Sequence, residues 1–229
     1  MISQPGPRRL PSDQAAGLRH LMARQGPRLM TVGEPRTANR RGVAVSLANA
    51  LARQGQSVLL LDEARPDRLR RWRPGTSPGV SDAVLPLTAS PQSLGELLAA
   101  QGNVPLNVVL VDALGAADGQ LSTLAAQAHD ALTVLAGNDP GGAALTAAYA
   151  GIKQLHGRHP GMFHRVVVTD CDVESRAYGV FCRLATVAAR YLTVRLSFVG
   201  YVPVSTDTTA AAVQRAYDRM AVNLPLWTR

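Results

Sequence analysis

Apolar positions along this chain gather into short continuous runs, separated by stretches in which they recur at helical spacing. Runs over 29–32, 57–62, 107–112, 131–136, 165–169 and 196–201 predict strands. Unbroken runs, rather than alternating ones, are the mark of parallel strands buried on both faces. Helical periodicity predicts helices over 41–54, 120–128, 140–158, 176–191 and 208–222, with Gly55 placed as a C-cap and Pro140 near a first turn. Short helical turns are expected at 81–85 and 93–100, and a long Arg-, Pro- and Gly-rich loop at 63–80. Regular strand–helix alternation implies the α/β class: a single doubly wound, mostly parallel sheet with helices on both faces.

Ligands in such folds sit outside the carboxyl ends of the strands. Three features fall there: Asp62, Asp112 and the loop 33–42 that follows the first strand. Strand, loop, helix is also the layout that α/β nucleotide enzymes use to hold phosphate. This loop has glycine only at its edges, Gly33 and Gly42, and carries Glu34 and Pro35 inside. A nucleotide site, a ruined one and an ordinary strand–helix connection all remain open at this point.

Ahead of the first strand, residues 1–11 contain three prolines and few apolar groups, the composition of a flexible tail. Ser12 can cap a helix starting at Asp13, whose charge suits the positive helix end. Ala15, Leu18, Leu21 and Met22 give that helix one apolar face; Gly17 weakens it and Gly26-Pro27 stops it. The chain therefore divides into a tail plus N-terminal effector helix over 1–27 and an α/β domain over 28–229. A short helix with one apolar face is marginal alone, so it docks on its own domain or folds on a partner.

Composition narrows the chemistry. At 229 residues the chain suits one large domain with a full core. No apolar run reaches the roughly eighteen residues of a membrane span, and the start lacks the apolar region of a secretory signal, so a cytoplasmic protein is expected. Cys171 and Cys182 lack the paired short spacing of a zinc site and read as reduced thiols. The net charge is +8. Residues 1–41 hold eight arginines (8, 9, 19, 24, 28, 36, 40, 41) against Asp13 and Glu34, and a second cluster comprises Arg65, Arg68, Arg70, Arg71 and Arg73, broken by Asp67. Such clusters suit nucleic acid, anionic lipid or an acidic partner, or simply solvate loops; neither interleaves aromatics as single-strand binders do, for Trp72 is alone. His129, His156, His159 and His164 read as ordinary surface groups, since Gly157 and Pro160 break regular geometry between His156 and His159. Asp170, Asp172 and Glu174 read as a solvated turn capping the next helix. No metal site is expected. Lys153 is the only lysine in the chain.

Several stretches resemble the MinD/ParA-like deviant Walker ATPases, and within them the FlhG/FleN-like flagellar number regulators. The most specific is Asp13-Gln-Ala-Ala-Gly-Leu-Arg19. FlhG-like proteins carry Asp-Gln-Ala-x-x-Leu-Arg before their first strand, in the helix that stimulates the signal-recognition-type GTPase FlhF. All the specified positions are present here: Asp13, Gln14, Ala15, Leu18 and Arg19. Softer likenesses are Val45-Ser-Leu-Ala-Asn-Ala-Leu-Ala52, Val58-Leu-Leu-Leu-Asp62, Val109-Leu-Val-Asp112 and Phe198-Val-Gly-Tyr-Val-Pro203.

The departures fall on the nucleotide site. The family loop reads Lys-Gly-Gly-x-Gly-Lys-Thr. Aligned through Val43-Ala-Val45, it becomes Pro35-Arg-Thr-Ala-Asn-Arg-Arg41. Pro35 takes the signature lysine position, Arg40 the phosphate lysine and Arg41 the magnesium-binding threonine. Side chains at the glycine positions block the approach of phosphate to backbone N–H groups, Pro35 removes a donor, and Arg41 puts a positive charge where Mg²⁺ belongs. Downstream, Ala64 replaces the second acid after Asp62, Ala113-Leu114 a Thr-Gly pair, and Thr169 the purine-reading asparagine.

The resemblance thus implies a vestigial nucleotide site at Pro35, Arg40, Arg41, Asp62 and Asp112, with no bound cofactor where intact members use ATP-Mg. It implies a cytoplasmic regulator of flagellar number or placement, recruited to the cell pole or flagellar base. Expected partners are an FlhF-like GTPase or a flagellar transcription activator; a monomer is expected rather than an ATP-dependent dimer. Two alternatives stand beside it. One is a working ATPase with Arg40 in place of lysine, although a rigid arginine fork replaces a compact ammonium poorly. The other is a basic ParA-like protein binding DNA or a transcription activator. The family's membrane-reaching C-terminal helix has only a short counterpart here, 223–229, so no stable membrane anchor is expected; Leu224, Leu226 and Trp227 offer at most a weak contact.

Overall fold

The computed structural model describes residues 26–34, 42–62, 68–75, 83–86, 93–101, 105–114, 123–139, 141–204 and 209–224. Its elements run β1 (Arg28–Glu34), α1 (Val43–Arg53), β2 (Val58–Asp62), β3 (Arg68–Trp72), β4 (Ala83–Pro86), α2 (Leu94–Gln101), β5 (Val108–Leu114), α3 (Thr123–Ala126), β6 (Asp130–Ala136), α4 (Ala143–Arg158), β7 (Phe163–Cys171), α5 (Glu174–Leu192), β8 (Leu196–Pro203) and α6 (Ala210–Asn223). The eight strands form one sheet in the order β4-β3-β2-β5-β1-β6-β7-β8. From β2 to β8 every pairing is parallel. The continuous apolar runs explain this: β6, for example, is buried at every residue.

Two cores sandwich the sheet. On one face Met30, Val32, Val58, Leu60, Val108 and Leu110 pack under α1 and the buried side of α6. On the other, Leu29, Leu59, Val109 and Val111 pack against α2 and α3, and Val166 and Val168 against α4 and α5. Side chains alternate between the two faces along the strands, except where the β7–β8 register shifts.

The antiparallel extension departs from the sequence reading. The stretch 63–80, expected as a loop, contains β3, and 81–85, expected as a helical turn, contains β4. β3 pairs antiparallel with β2, and β4 with β3. The physical reason is edge protection: β2 would otherwise end the parallel sheet with a row of open backbone groups. Among the side chains described in β3, Leu69 and Trp72 are the buried ones, one in each core, so arginines hid the strand pattern. The Trp72 Nε1–H donates to Asn49 Oδ1 of α1 at 2.9 Å, tying the extension to the helix. Boundaries shift elsewhere. Among the described residues α3 is helical only over Thr123–Ala126, and β7 and β8 each run longer than expected. Helix α4 begins at Ala143, after Gly142 at φ 73. Asp139 caps that start, accepting from the N–H groups of Gly141 and Ala144.

Candidate functional site

The carboxyl edge of β1, β2 and β5 carries the described part of the expected site. Asp62 ends β2 and is in register with Asp112 on β5, which is in register with Val32 on β1. Adjacent parallel strands lie about 4.8 Å apart, so the two carboxylates are immediate neighbours. Alternation after Leu60 and Leu110 puts both on the α1 face, and both are half-buried. Helix α1 opens just after Gly42, which has an ordinary right-handed backbone and no side-chain cap bond. Of the other expected residues, Pro35, Arg40 and Arg41, and Asp13, Gln14, Ala15, Leu18 and Arg19, lie outside the described residues.

Two neighbouring carboxylates supply oxygen ligands of the kind Mg²⁺ takes. The phosphate half of an ATP-Mg site needs a compact cation and close backbone approach, and 35–41 supplies a proline, three arginines and one asparagine instead. The only lysine cannot substitute. Lys153 is exposed on α4, and Ile152 and Leu155 of that helix pack on the opposite side of the sheet from α1.

Further along the same edge, β6 and β7 close tightly. Gly137 N–H donates to the Thr169 carbonyl at 2.7 Å, and a Cβ at Gly137 would sit 2.0 Å from Cys171 Sγ. Burial pushes the Cys171 thiol up, only partly offset by Arg176, and the sulfur serves as packing. Thr169 is buried and its hydroxyl donates to Asp170 Oδ2 at 3.0 Å, so it turns to its neighbour rather than outward. Asp170 holds a left-handed backbone, φ 58. Asp172 accepts from Val173 N–H and pairs with Arg176, but no side chain caps the start of α5, whose N-cap is Val173, so the expected capping turn is not made. Among the described residues, no group of three or more His, Cys, Asp or Glu is placed to hold a metal.

Sequence reasoning missed the amino edge. Asp130, fully buried at the start of β6, lies between two arginines. Arg28 Nε of β1 donates to its Oδ2, and Arg165 of β7 reaches its Oδ1 through Nε at 3.1 Å and through a second nitrogen at 2.9 Å. Beneath the other face, His164 is buried rather than superficial. Burial pushes it down to about 4 from 6.5, with repulsion from His156 adding to the effect. Asp130 opens β6, and His164 and Arg165 are the second and third residues of β7; a charged or titratable residue near the start of a strand was the one available signal.

The arginine cluster is also clarified. Trp72 is wholly buried, and Arg70 lies over its ring at 5.2 Å, so no aromatic face is offered for base stacking. Leu224 is buried in the α6 core, which corrects its assignment to a membrane contact. No helix among the described residues is long and apolar enough to cross a membrane.

No protein-family profile and no curated protein sequence matches this chain. Solved structures do. MinD cell division protein of Aquifex aeolicus superposes with a TM-score of 0.58 at 13% identity, covering 88% of this chain and 98% of that one. The chain has the MinD fold. A plasmid partition protein of Borrelia burgdorferi gives 0.51 at 8% identity, covering 86% and 97%. Cobyrinic acid a,c-diamide synthase of Mycobacterium smegmatis, bound to ADP and magnesium, gives 0.53 at 16% identity, covering 86% and 93%. The shared architecture is a doubly wound, mostly parallel α/β sheet, as the strand–helix alternation implied.

Proposed function

We propose that this protein is an FlhG-like pseudo-ATPase: a regulator of flagellar number or placement that works by binding other proteins rather than by hydrolysing ATP. The observation that carries the reading is Asp13-Gln-Ala-x-x-Leu-Arg19 lying just ahead of the first strand of a MinD fold. In this reading 1–27 is the effector segment and 28–229 its scaffold. Ala15 and Leu18 give an apolar contact, Arg19 a charge fork, and Gln14 an amide able to orient water or a phosphate oxygen in a partner GTPase of the FlhF type. The segment joins the fold at Arg28, the amino end of β1, whereas Asp62 and Asp112 stand at the carboxyl end. A seven-residue strand spans about 20 Å, so partner binding through the segment needs nothing from the old nucleotide crevice. Without ATP-driven pairing the protein acts as a monomer in the cytoplasm, brought to the cell pole or flagellar base by its partner. A flagellar transcription activator is the alternative partner.

The test is GTP turnover by the FlhF-type GTPase in the presence of the full chain, with and without Gln14→Ala. Stimulation that the substitution abolishes supports the reading; no stimulation by the intact chain rejects it. One observation favours a second reading, an active ATPase: the paired carboxylates Asp62 and Asp112 are kept in register. That reading requires ATP-Mg binding, which is measurable separately.

A further inference from the structure

The C-terminal end of α4 and the start of β7 hold two imidazoles that the regulatory reading does not use. His164 is the second residue of β7 and is only 3% exposed. It shares the face of Val166 and Val168, under α4 and α5. His156 stands in the last turn of α4 and is half-buried. The ring centroids are 5.9 Å apart and the planes meet at 60°. Both nitrogens of His164 and Nδ1 of His156 are buried without a hydrogen-bond partner.

That is an expensive arrangement for a purely structural pair. A buried donor or acceptor without a partner costs about 1–3 kcal/mol. The same nitrogens are soft enough to ligate metal, and the neutral ring is the ligating form. With bonds of about 2.0–2.1 Å, two imidazoles on one metal hold their centroids ~5–6 Å apart, a span that the observed separation meets. We propose that His156 and His164 form a two-histidine site for a transition-metal ion such as Zn²⁺, pinning the end of α4 to β7. Imidazole ligands favour zinc, nickel or copper over magnesium or calcium. No third His, Cys, Asp or Glu joins them among the described residues, so water would have to complete the coordination. Such a site binds in the micromolar range, more weakly than closed four-ligand sites.

The test uses the full chain and Zn²⁺ alone. Calorimetry at neutral pH should give one equivalent of micromolar affinity, weakened at least tenfold by His156→Gln or His164→Gln and unchanged by His159→Gln. Because His164→Gln removes a buried ring, folding is checked independently in the wild type. Among the five histidine Cε1–H resonances, zinc should move two, and both should be those lost in the two variants. No binding overturns the proposal. So does binding that survives both substitutions, or zinc shifts confined to His20, His129 and His159.

Discussion

At the amino edge of the sheet Asp130 is sealed between Arg28 and Arg165, whereas at the carboxyl edge Asp62 and Asp112 stand side by side, half-buried. The same central strands carry both edges. One edge buries charge and compensates it fully, so its charges hold β1, β6 and β7 in register. The other keeps like charges together, as a site for a cation would, without the groups that recruit a phosphate. The difference separates charges that tie strands together from charges set side by side at strand ends.

The sharpest way to break this contrast is to remove one acid from each edge. Asp130→Ala takes the shared carboxylate from two largely buried guanidinium groups and should cost about 3–5 kcal/mol in urea unfolding. Replacing all three members, Arg28→Met, Arg165→Met and Asp130→Leu, should recover most of that loss. Asp62→Asn, which relieves a like-charge neighbour, should stay within about 1 kcal/mol of the parent. Equal effects at the two edges would dissolve the comparison.

The next effect is in pH. His164 is held down to about 4 by burial and by His156, while the unfolded chain protonates this ring near 6.5. Between those values the unfolded state binds more protons, so stability falls as pH drops through the window, by up to about 3 kcal/mol. His164→Phe should flatten that part of the pH profile, measured against the parent without added metal. A smaller loss is expected at the carboxyl edge. Gly137→Ala drives a Cβ to 2.0 Å from Cys171 Sγ and 3.1 Å from the Thr169 carbonyl, and should cost about 1–3 kcal/mol. Cys171→Ala should restore part of it, because the backbone contact remains. The smallest is on the surface joining α1 to α6. The Arg53–Asp218 pair, at 2.6 Å, is partly exposed, and a double-mutant cycle should return about 0.2–1 kcal/mol, shrinking in high salt.

Much of this fold was legible because its parallel strands are buried on both faces. Leu59, Val109 and Leu132 sit in runs that no surface element would tolerate, and the runs located all six parallel strands. The antiparallel pair was not legible. β3 buries Leu69 and Trp72 among arginines, and β4 is four residues long, so neither shows a period. At the site, Asp62 and Asp112 were legible as acids that close apolar strands, whereas the reading of 35–41 rests on the alignment through Val43–Val45, since those residues lie outside the described ones. The triad at Asp130 was not, because Arg28 lies 102 residues away and only strand register joins them. His164 was misread as a surface group for the same reason: α4 covers it, and nothing near it in sequence announces that cover.

The central proposal is that the carboxyl edge does not bind nucleotide. Calorimetric titration of the full chain with ATP-Mg²⁺ tests it most directly. The account predicts no saturable heat up to millimolar nucleotide, unchanged by Asp62→Asn or Asp112→Asn. Micromolar binding that either substitution abolishes would contradict it.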